Sequence, residues 1–158
     1  MTLQQAAKLI ASLILPLVVG AVAGFFTSAS IPGWYDALNK PTFSPPNWLF
    51  GPVWVTLYLI MGFSCYLVWD APLSNPRNSA LTIYGVQLFL NFVWSFIFFY
   101  FKMMGLALIE ICLLWVFIVI MIVRFKEIVP SAAYLNVPYL LWVTFASVLN
   151  GAFYFLND

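Results

Sequence analysis

The stretch Met103 to Val123, MMGLALIEICLLWVFIVIMIV, decides the class of fold, because Glu110 is its only charged residue. In an α-helix about 20 apolar residues span the roughly 30 Å of hydrocarbon in a bilayer. This run therefore predicts a transmembrane helix.

The rest of the chain repeats this pattern. Uncharged stretches separate four pairs of charged residues, namely Lys8 and Asp36, Lys40 and Asp70, Arg77 and Lys102, and Glu127 and Asp158. We therefore predict an all-α, polytopic membrane protein, in which a single domain, 1–158, forms a bundle of five transmembrane helices. The predicted spans are 6–26, 46–69, 79–101, 103–124 and 131–155. The first run is long enough for a retained span rather than the apolar region of a signal peptide.

Composition excludes several classes of function. Of the 158 residues, 65% are hydrophobic and 7% are charged, and the mean hydropathy is +1.01. The net charge of +1 is spread thinly, without the basic patch that nucleic acid binding requires. The absence of histidine removes the usual general base, zinc ligand and haem ligand. We predict no metal site, no cofactor and no ordinary acid–base or nucleophilic catalysis.

The distribution of basic residues suggests an orientation. An odd number of spans places the termini on opposite sides of the membrane. The N-terminal side collects Lys8, Arg77, Arg124 and Lys126, whereas the other side has Lys40 and Lys102. The positive-inside rule then favours a cytoplasmic N-terminus. We expect a bacterial cell membrane, or an organelle membrane if the source is eukaryotic.

The only long connection, from about Thr27 to Ser44, is rich in rings and prolines. It includes Trp34, Tyr35, Pro41 and Phe43. A flexible linker rarely has this composition, so we predict an ordered lid on the mouth of the bundle. Anchoring of Trp34 among lipid headgroups is the alternative.

Polar and aromatic residues converge in the half of the membrane below this loop. Gln87, Asn91 and Trp94 share one helix face. Alternating helix direction brings Trp54, Glu110, Trp142, Ala146 and Asn150 into the same half of the bilayer, with Tyr58 one turn from Trp54. Pro16, Pro52 and Pro138 fall inside spans and are expected to kink them. The pattern predicts a pocket for a flat hydrophobic ligand; the alternative is that the amides join helices and the tryptophans only pack.

Two other features allow several interpretations. A carboxylate at Glu110 is costly in hydrocarbon, so we expect it to be protonated, near water or, preferably, paired with a polar group such as Lys102. Gly20 and Gly24 form a GxxxG pattern, which suits either internal packing or a homodimer.

Several motifs resemble those of the translocator protein family, also called the tryptophan-rich sensory proteins (TspO) or peripheral-type benzodiazepine receptors. The first two lie in the loop and second span, WYDALNKP at 34–41 and PPNW at 45–48, and are followed by GPVWVTLY at 51–58. QLFLNFVW at 87–94 and VPYLLWVTFA at 137–146 resemble the motifs of the third and fifth spans. The likeness covers nearly the whole chain.

The resemblance implies a five-helix bundle, often dimeric, with a pocket roofed by the first loop. Members bind porphyrins such as protoporphyrin IX, sterols in some cases, and synthetic isoquinolines or benzodiazepines. The family's pocket residues match Trp54, Asn91, Trp94, Trp142 and Ala146. Phe43 replaces a frequent tryptophan, and no basic residue follows Leu149 and Tyr154 to complete the sterol pattern, which argues against sterol binding.

We therefore predict a receptor or transport-type protein with a sensory or regulatory role that binds porphyrins or similar flat ligands. The predicted ligand-binding residues are Trp54, Tyr58, Asn91, Trp94, Phe98, Trp142, Ala146 and Asn150. One alternative is a light- and oxygen-dependent porphyrin-degrading enzyme that uses Trp54 and Trp142, as the resemblance implies for some members. The other is a structural or partner-interaction membrane protein.

Overall fold

A computed structural model describes all 158 residues and contains only helices and their connections. Its helices are α1 (Leu3–Ser28), α2 (Asn47–Asp70), α3 (Asn75–Ser95), α4 (Met104–Ile128), α5 (Pro130–Leu135) and α6 (Val137–Asn157). A π-helical turn, Phe96–Tyr100, continues α3, and an irregular turn, Ile31–Tyr35, follows α1. The all-α prediction is confirmed.

Five helical stretches are long and apolar enough to cross a membrane. They are Leu3–Ser28, Asn47–Asp70, Asn75–Tyr100, Met104–Ile128 and Pro130–Asn157. Large apolar side chains such as Ile109, Leu141 and Phe89 cover the outside of the bundle. This is the surface expected of a protein whose solvent is lipid.

The fifth span consists of two helices, α5 and α6, joined at Asn136. The Asn136 side-chain amide donates to the Ser64 hydroxyl at 2.6 Å and to the Ala132 carbonyl at 2.9 Å. Ser64 also donates to the Ala132 carbonyl, at 2.8 Å. Pro138 lies in the first turn of α6, where its missing N–H costs nothing. The fifth span is therefore interrupted near Pro138, as predicted, but by a break at Asn136 that leaves Pro138 in the first turn of α6 rather than in the interior of a helix.

The N-terminal half of α1 and the C-terminal half of α2 are in close contact. A Cβ on Gly62 would lie 2.5 Å from the Ser12 carbonyl oxygen, so only glycine fits there. Pro16 lies inside α1 and has no N–H to donate to that carbonyl. The freed carbonyl is thus covered by the backbone of α2. Towards the first loop, Gly24 of α1 and Gly51 of α2 border open space instead, since a Cβ on either would meet nothing within 4 Å.

The end of the bundle where α1 and α3 begin is solidly packed, and we call it the closed half. Its centre is formed by side chains with no exposed area, namely Val68, Ala80, Ile118, Met121 and Phe125. The opposite end, below the first loop, is the open half. It contains the cavity described in the next subsection.

The first loop, residues 29–46, is hydrogen-bonded to the C-terminal end of α6. The Asn39 backbone N–H donates to the Asn157 side-chain oxygen at 2.7 Å, and the Asn157 amide donates to the Asn39 carbonyl at 3.0 Å. Asp36 accepts from the Asn47 amide and the Lys40 ammonium, each at 3.0 Å. These bonds hold the pKa of the Asp36 carboxyl below its usual value. A lid function for this loop stays a prediction.

Candidate functional site

A cavity of about 530 Å³ lies in the open half, between α1, α2, α3 and α6. Ligand pockets of proteins typically have this size and an apolar lining. Most of the predicted ligand-binding residues line it, namely Trp54, Tyr58, Trp94, Phe98, Trp142, Ala146 and Asn150. The structure thus brings seven of the eight predicted ligand-binding residues around one space. Their contact with a ligand stays a prediction.

One wall of the cavity is an aromatic corner built by α2 and α6. Trp54 stacks on Tyr58 with ring centroids 5.5 Å apart and planes at 28°. Trp142 stands nearly perpendicular to Trp54, at 6.5 Å and 86°. Phe50, one turn before Trp54, meets Trp142 edge-on at 5.9 Å. Two perpendicular aromatic surfaces can contact both a face and an edge of a planar ligand.

The opposite wall comes from α3 and its π-helical turn. Trp94 stacks on Phe98 at 5.3 Å and 26°. Its indole N–H donates to the Asn150 side-chain oxygen at 3.1 Å, while the Asn150 amide donates to the Met104 carbonyl at 3.0 Å. Asn150 therefore fixes the orientation of the Trp94 ring and joins α6 to the start of α4.

A buried chain of hydrogen bonds lies behind the aromatic corner. The Tyr58 hydroxyl donates to the Asn91 side-chain oxygen at 2.6 Å, and the Asn91 amide donates to the Tyr139 hydroxyl at 3.0 Å. Tyr139 in turn donates to the Gln87 side-chain oxygen at 2.8 Å. Asn91 does not line the cavity, because Tyr58 and Tyr139 occupy its amide. The chain fixes the tyrosine on which Trp54 stacks.

The wall formed by α1 consists mainly of small residues. A Cβ on Gly20 would collide with the Tyr58 ring, so glycine leaves the room that this ring occupies. Ala21 and Gly24 on α1, like Gly51 and Val55 on α2, line the cavity and are exposed. The cavity is therefore open laterally between α1 and α2, at the level of the bilayer.

The first loop contributes one of its four predicted lid residues to the cavity. Tyr35 lines the cavity, and its ring lies 5.3 Å from that of Phe153. Burial raises the pKa of the Tyr35 hydroxyl. The other predicted lid residues, Trp34, Pro41 and Phe43, do not line the cavity. Trp34 packs edge-on against Phe98 at 5.8 Å.

Glu110 differs from the expectation that it pairs with Lys102. Both of its carboxylate oxygens are buried and have no hydrogen-bond partner. The Lys102 ammonium instead lies 5.8 Å above the Trp34 ring. The predicted pairing is wrong because Lys102 turns towards the loop with a positive φ of 58°.

Sequence reasoning missed several residues of the site. Phe50 and Phe153 line the cavity, and the fully buried Tyr139 supports it from behind. Helical spacing from recognised residues could have identified two of them, because Phe50 precedes Trp54 by four residues and Tyr139 precedes Trp142 by three. For the wall formed by α1, the GxxxG spacing of Gly20 and Gly24 was the only sequence pattern that could have indicated a place in the cavity.

Comparison with known proteins supports the same view of the chain. Residues 12–156 match the sequence model of the TspO/MBR family. The chain belongs to the TspO/MBR family. This membership and the five apolar helices identify an integral, multi-pass membrane protein.

Relatives in this family span archaea, bacteria and animals. A tryptophan-rich protein TspO of Archaeoglobus fulgidus is 40% identical over 150 residues, covering 95% of this chain and 97% of that protein. The translocator protein of Homo sapiens is 40% identical over 119 residues, or 74% of this chain and 70% of that protein. A tryptophan-rich sensory protein of Cereibacter sphaeroides is 38% identical over 117 residues, covering 74% and 72%.

Proposed function

We propose that this protein is a membrane receptor or transport-type protein that binds porphyrins or similar flat hydrophobic molecules in the open half. The observation that carries the proposal is the aromatic corner of Trp54, Tyr58 and Trp142 on a cavity of about 530 Å³. Relatives named translocator protein and tryptophan-rich sensory protein favour a transport, sensory or regulatory role. The first loop, through Tyr35, serves as the lid.

The chemistry of the lining favours a neutral macrocycle over a metal-bound one. Stacking on indole and phenol rings requires a flat conjugated ligand. The chain has no histidine, the residue that most readily ligates haem iron in an apolar pocket. Metal-free protoporphyrin IX is therefore expected to bind at least as tightly as haem.

Fluorescence titration tests the binding proposal. Purified protein should show saturable quenching of its tryptophans by protoporphyrin IX, and Trp54→Phe should lower the affinity. Trp69→Phe is the matched control, because Trp69 does not line the cavity. Absence of saturable quenching would favour the alternative of a structural or partner-interaction protein. A strong, selective shift of the haem Soret band would contradict the preference for metal-free porphyrin.

Light- and oxygen-dependent porphyrin degradation is the second candidate. It is favoured by the placement of two indoles, those of Trp54 and Trp142, on one cavity with centroids 6.5 Å apart. A photoexcited porphyrin with dioxygen as oxidant requires no general base or nucleophile from the chain. Under illumination, and with porphyrin at a concentration that saturates each variant, Trp54→Phe and Trp142→Phe should lose product formation although their cavities are occupied. Unchanged turnover in both variants would eliminate a route through the indoles.

A further inference from the structure

Arg77 is a buried cation without a partner at the edge of the membrane span. It lies in the first turn of α3, and only 8% of its surface is exposed although Ser74, Asn75, Pro76 and Asn78 around it are exposed. Its guanidinium Nε is buried and makes no hydrogen bond. Arg77 takes part in none of the three ion pairs of the protein.

The carboxylate of Asp70, whose pKa Arg77 helps to lower, already has two other partners. One of its oxygens accepts from the Gln5 amide at 2.9 Å, and the other accepts from the Lys8 ammonium at 3.2 Å. Arg77 acts on this carboxylate only through the electrostatic field. Lys8 forms the ion pair with Asp70, so the positive charge of Arg77 has no ion-pair partner of its own.

The position of Arg77 in its helix increases the need for an anion. The N-terminus of an α-helix has a partial positive charge, which disfavours a cation in the first turn and favours an anion there. A guanidinium also presents up to five donors in a flat fork that fits the oxygens of a phosphate. Both features of this site require a negatively charged group with several acceptor oxygens.

We propose that Arg77, at the N-terminal turn of α3, binds the phosphate of an anionic phospholipid headgroup. The site lies where a headgroup lies, because the apolar part of α3 begins directly after it. Leu73, which lies just before α3, and Leu3, the first residue of α1 at the same end of the bundle, are 82% and 89% exposed, and they offer apolar contact to the attached acyl chains. A soluble phosphate would gain nothing from these two side chains.

Lipid binding to the full-length protein tests this site. Native mass spectrometry in detergent would measure the affinity for phosphatidylglycerol, for phosphatidylcholine and for inorganic phosphate. Wild-type protein should prefer phosphatidylglycerol, and Arg77→Gln should lower that affinity about fivefold, the effect of about 1 kcal/mol for one basic residue near an anionic headgroup. Arg124→Gln is the matched control, because Arg124 is exposed and already paired with Glu127 at 3.5 Å.

Three results would overturn the proposal. The first is an equal loss of phosphatidylglycerol affinity in Arg77→Gln and Arg124→Gln. The second is equal affinity of the wild-type protein for phosphatidylglycerol and phosphatidylcholine. The third is displacement of the lipid by millimolar phosphate, which would indicate that the site binds a soluble anion. If Arg77→Gln does not fold, as judged by circular dichroism, Arg77→Lys replaces it. That variant keeps the charge but not the fork, so it should bind phosphatidylglycerol less tightly and still prefer it over phosphatidylcholine.

Discussion

The two halves of this bundle are built from the same helices, yet one is solid and the other hollow. In the closed half, Gly62 brings α2 against the Ser12 carbonyl of α1. In the open half, Gly24 and Gly51 of the same two helices have free space where a side chain would start. Glycine therefore serves close packing at one end and an opening at the other.

The difference shows how a membrane protein makes room for a ligand without losing its core. Lipid provides no hydrophobic force between helices, so close contact and hydrogen bonds must hold them. The closed half supplies the contact at Gly62 and the hydrogen bonds among Ser64, Ala132 and Asn136. The open half is then free to keep large rings around an open space.

The largest expected effect is on the stability of the closed half. Gly62→Ala places a methyl group against the α1 backbone, which cannot move like the end of a flexible side chain. We expect a loss of about 1–3 kcal/mol in the free energy of unfolding, as for other overpacked sites. Denaturant unfolding in detergent micelles would measure it. Gly24→Ala is the control and should lose nothing, so equal effects at both sites would remove the distinction between the halves.

The next effect concerns the hydrogen-bonded chain at the boundary of the halves. Tyr139→Phe removes the hydroxyl that bonds both Asn91 and Gln87 and leaves two buried amides without that partner. The expected loss is about 1–2 kcal/mol in the free energy of unfolding, measured in the same assay. Tyr134→Phe is the matched control, since Tyr134 is 61% exposed. If Tyr139→Phe were as stable as the wild-type protein, the hydrogen bonds among Tyr58, Asn91, Tyr139 and Gln87 would not be holding the two halves together.

A third change should affect ligand binding rather than stability. Gly24 lines the cavity with free space at its Cβ, so Gly24→Leu should fill part of the cavity and its lateral opening. We expect about a fivefold lower affinity for protoporphyrin IX, equivalent to about 1 kcal/mol of overpacking. Gly85→Leu is the control, because Gly85 also has free space but lies outside the cavity. Equal affinities in the two variants would contradict an opening between α1 and α2.

The smallest effect is a pH response of the first loop. The hydrogen bonds from Asn47 and Lys40 lower the pKa of Asp36 in the folded protein. The charged carboxylate therefore stabilises the loop fully above the pKa of about 3.9 that an aspartate has in an unfolded chain. This stabilisation is lost as the pH falls through the lower pKa of the folded state. Amide exchange of loop residues 36–40, corrected for its intrinsic pH dependence, should therefore speed up below about pH 4. Asp36→Asn should show no such acceleration, and a step in both proteins would assign it to another group.

The apolar runs and the charged residues between them were sufficient to predict the five-helix fold, because a segment of about 20 apolar residues in lipid can form few structures other than a helix. Depth along each span also predicted that Trp54, Trp94, Trp142 and Asn150 would gather in one half. Depth does not give the rotation of a helix, however, and so the position of Asn91 behind Tyr58 was not foreseen. The direction of Lys102, away from Glu110, depends on a positive φ that no pattern in this sequence indicates.

The central claim, that the open half is a binding site for a flat ligand, is tested most directly by fluorine NMR of protein labelled with 5-fluorotryptophan. The chain has seven tryptophans, which single substitutions would assign. On titration with protoporphyrin IX, the signals of Trp54, Trp94 and Trp142 should shift together and saturate, while those of Trp69 and Trp115 stay in place. Shifts confined to Trp69 and Trp115, or equal and unsaturable shifts of all seven, would contradict the account.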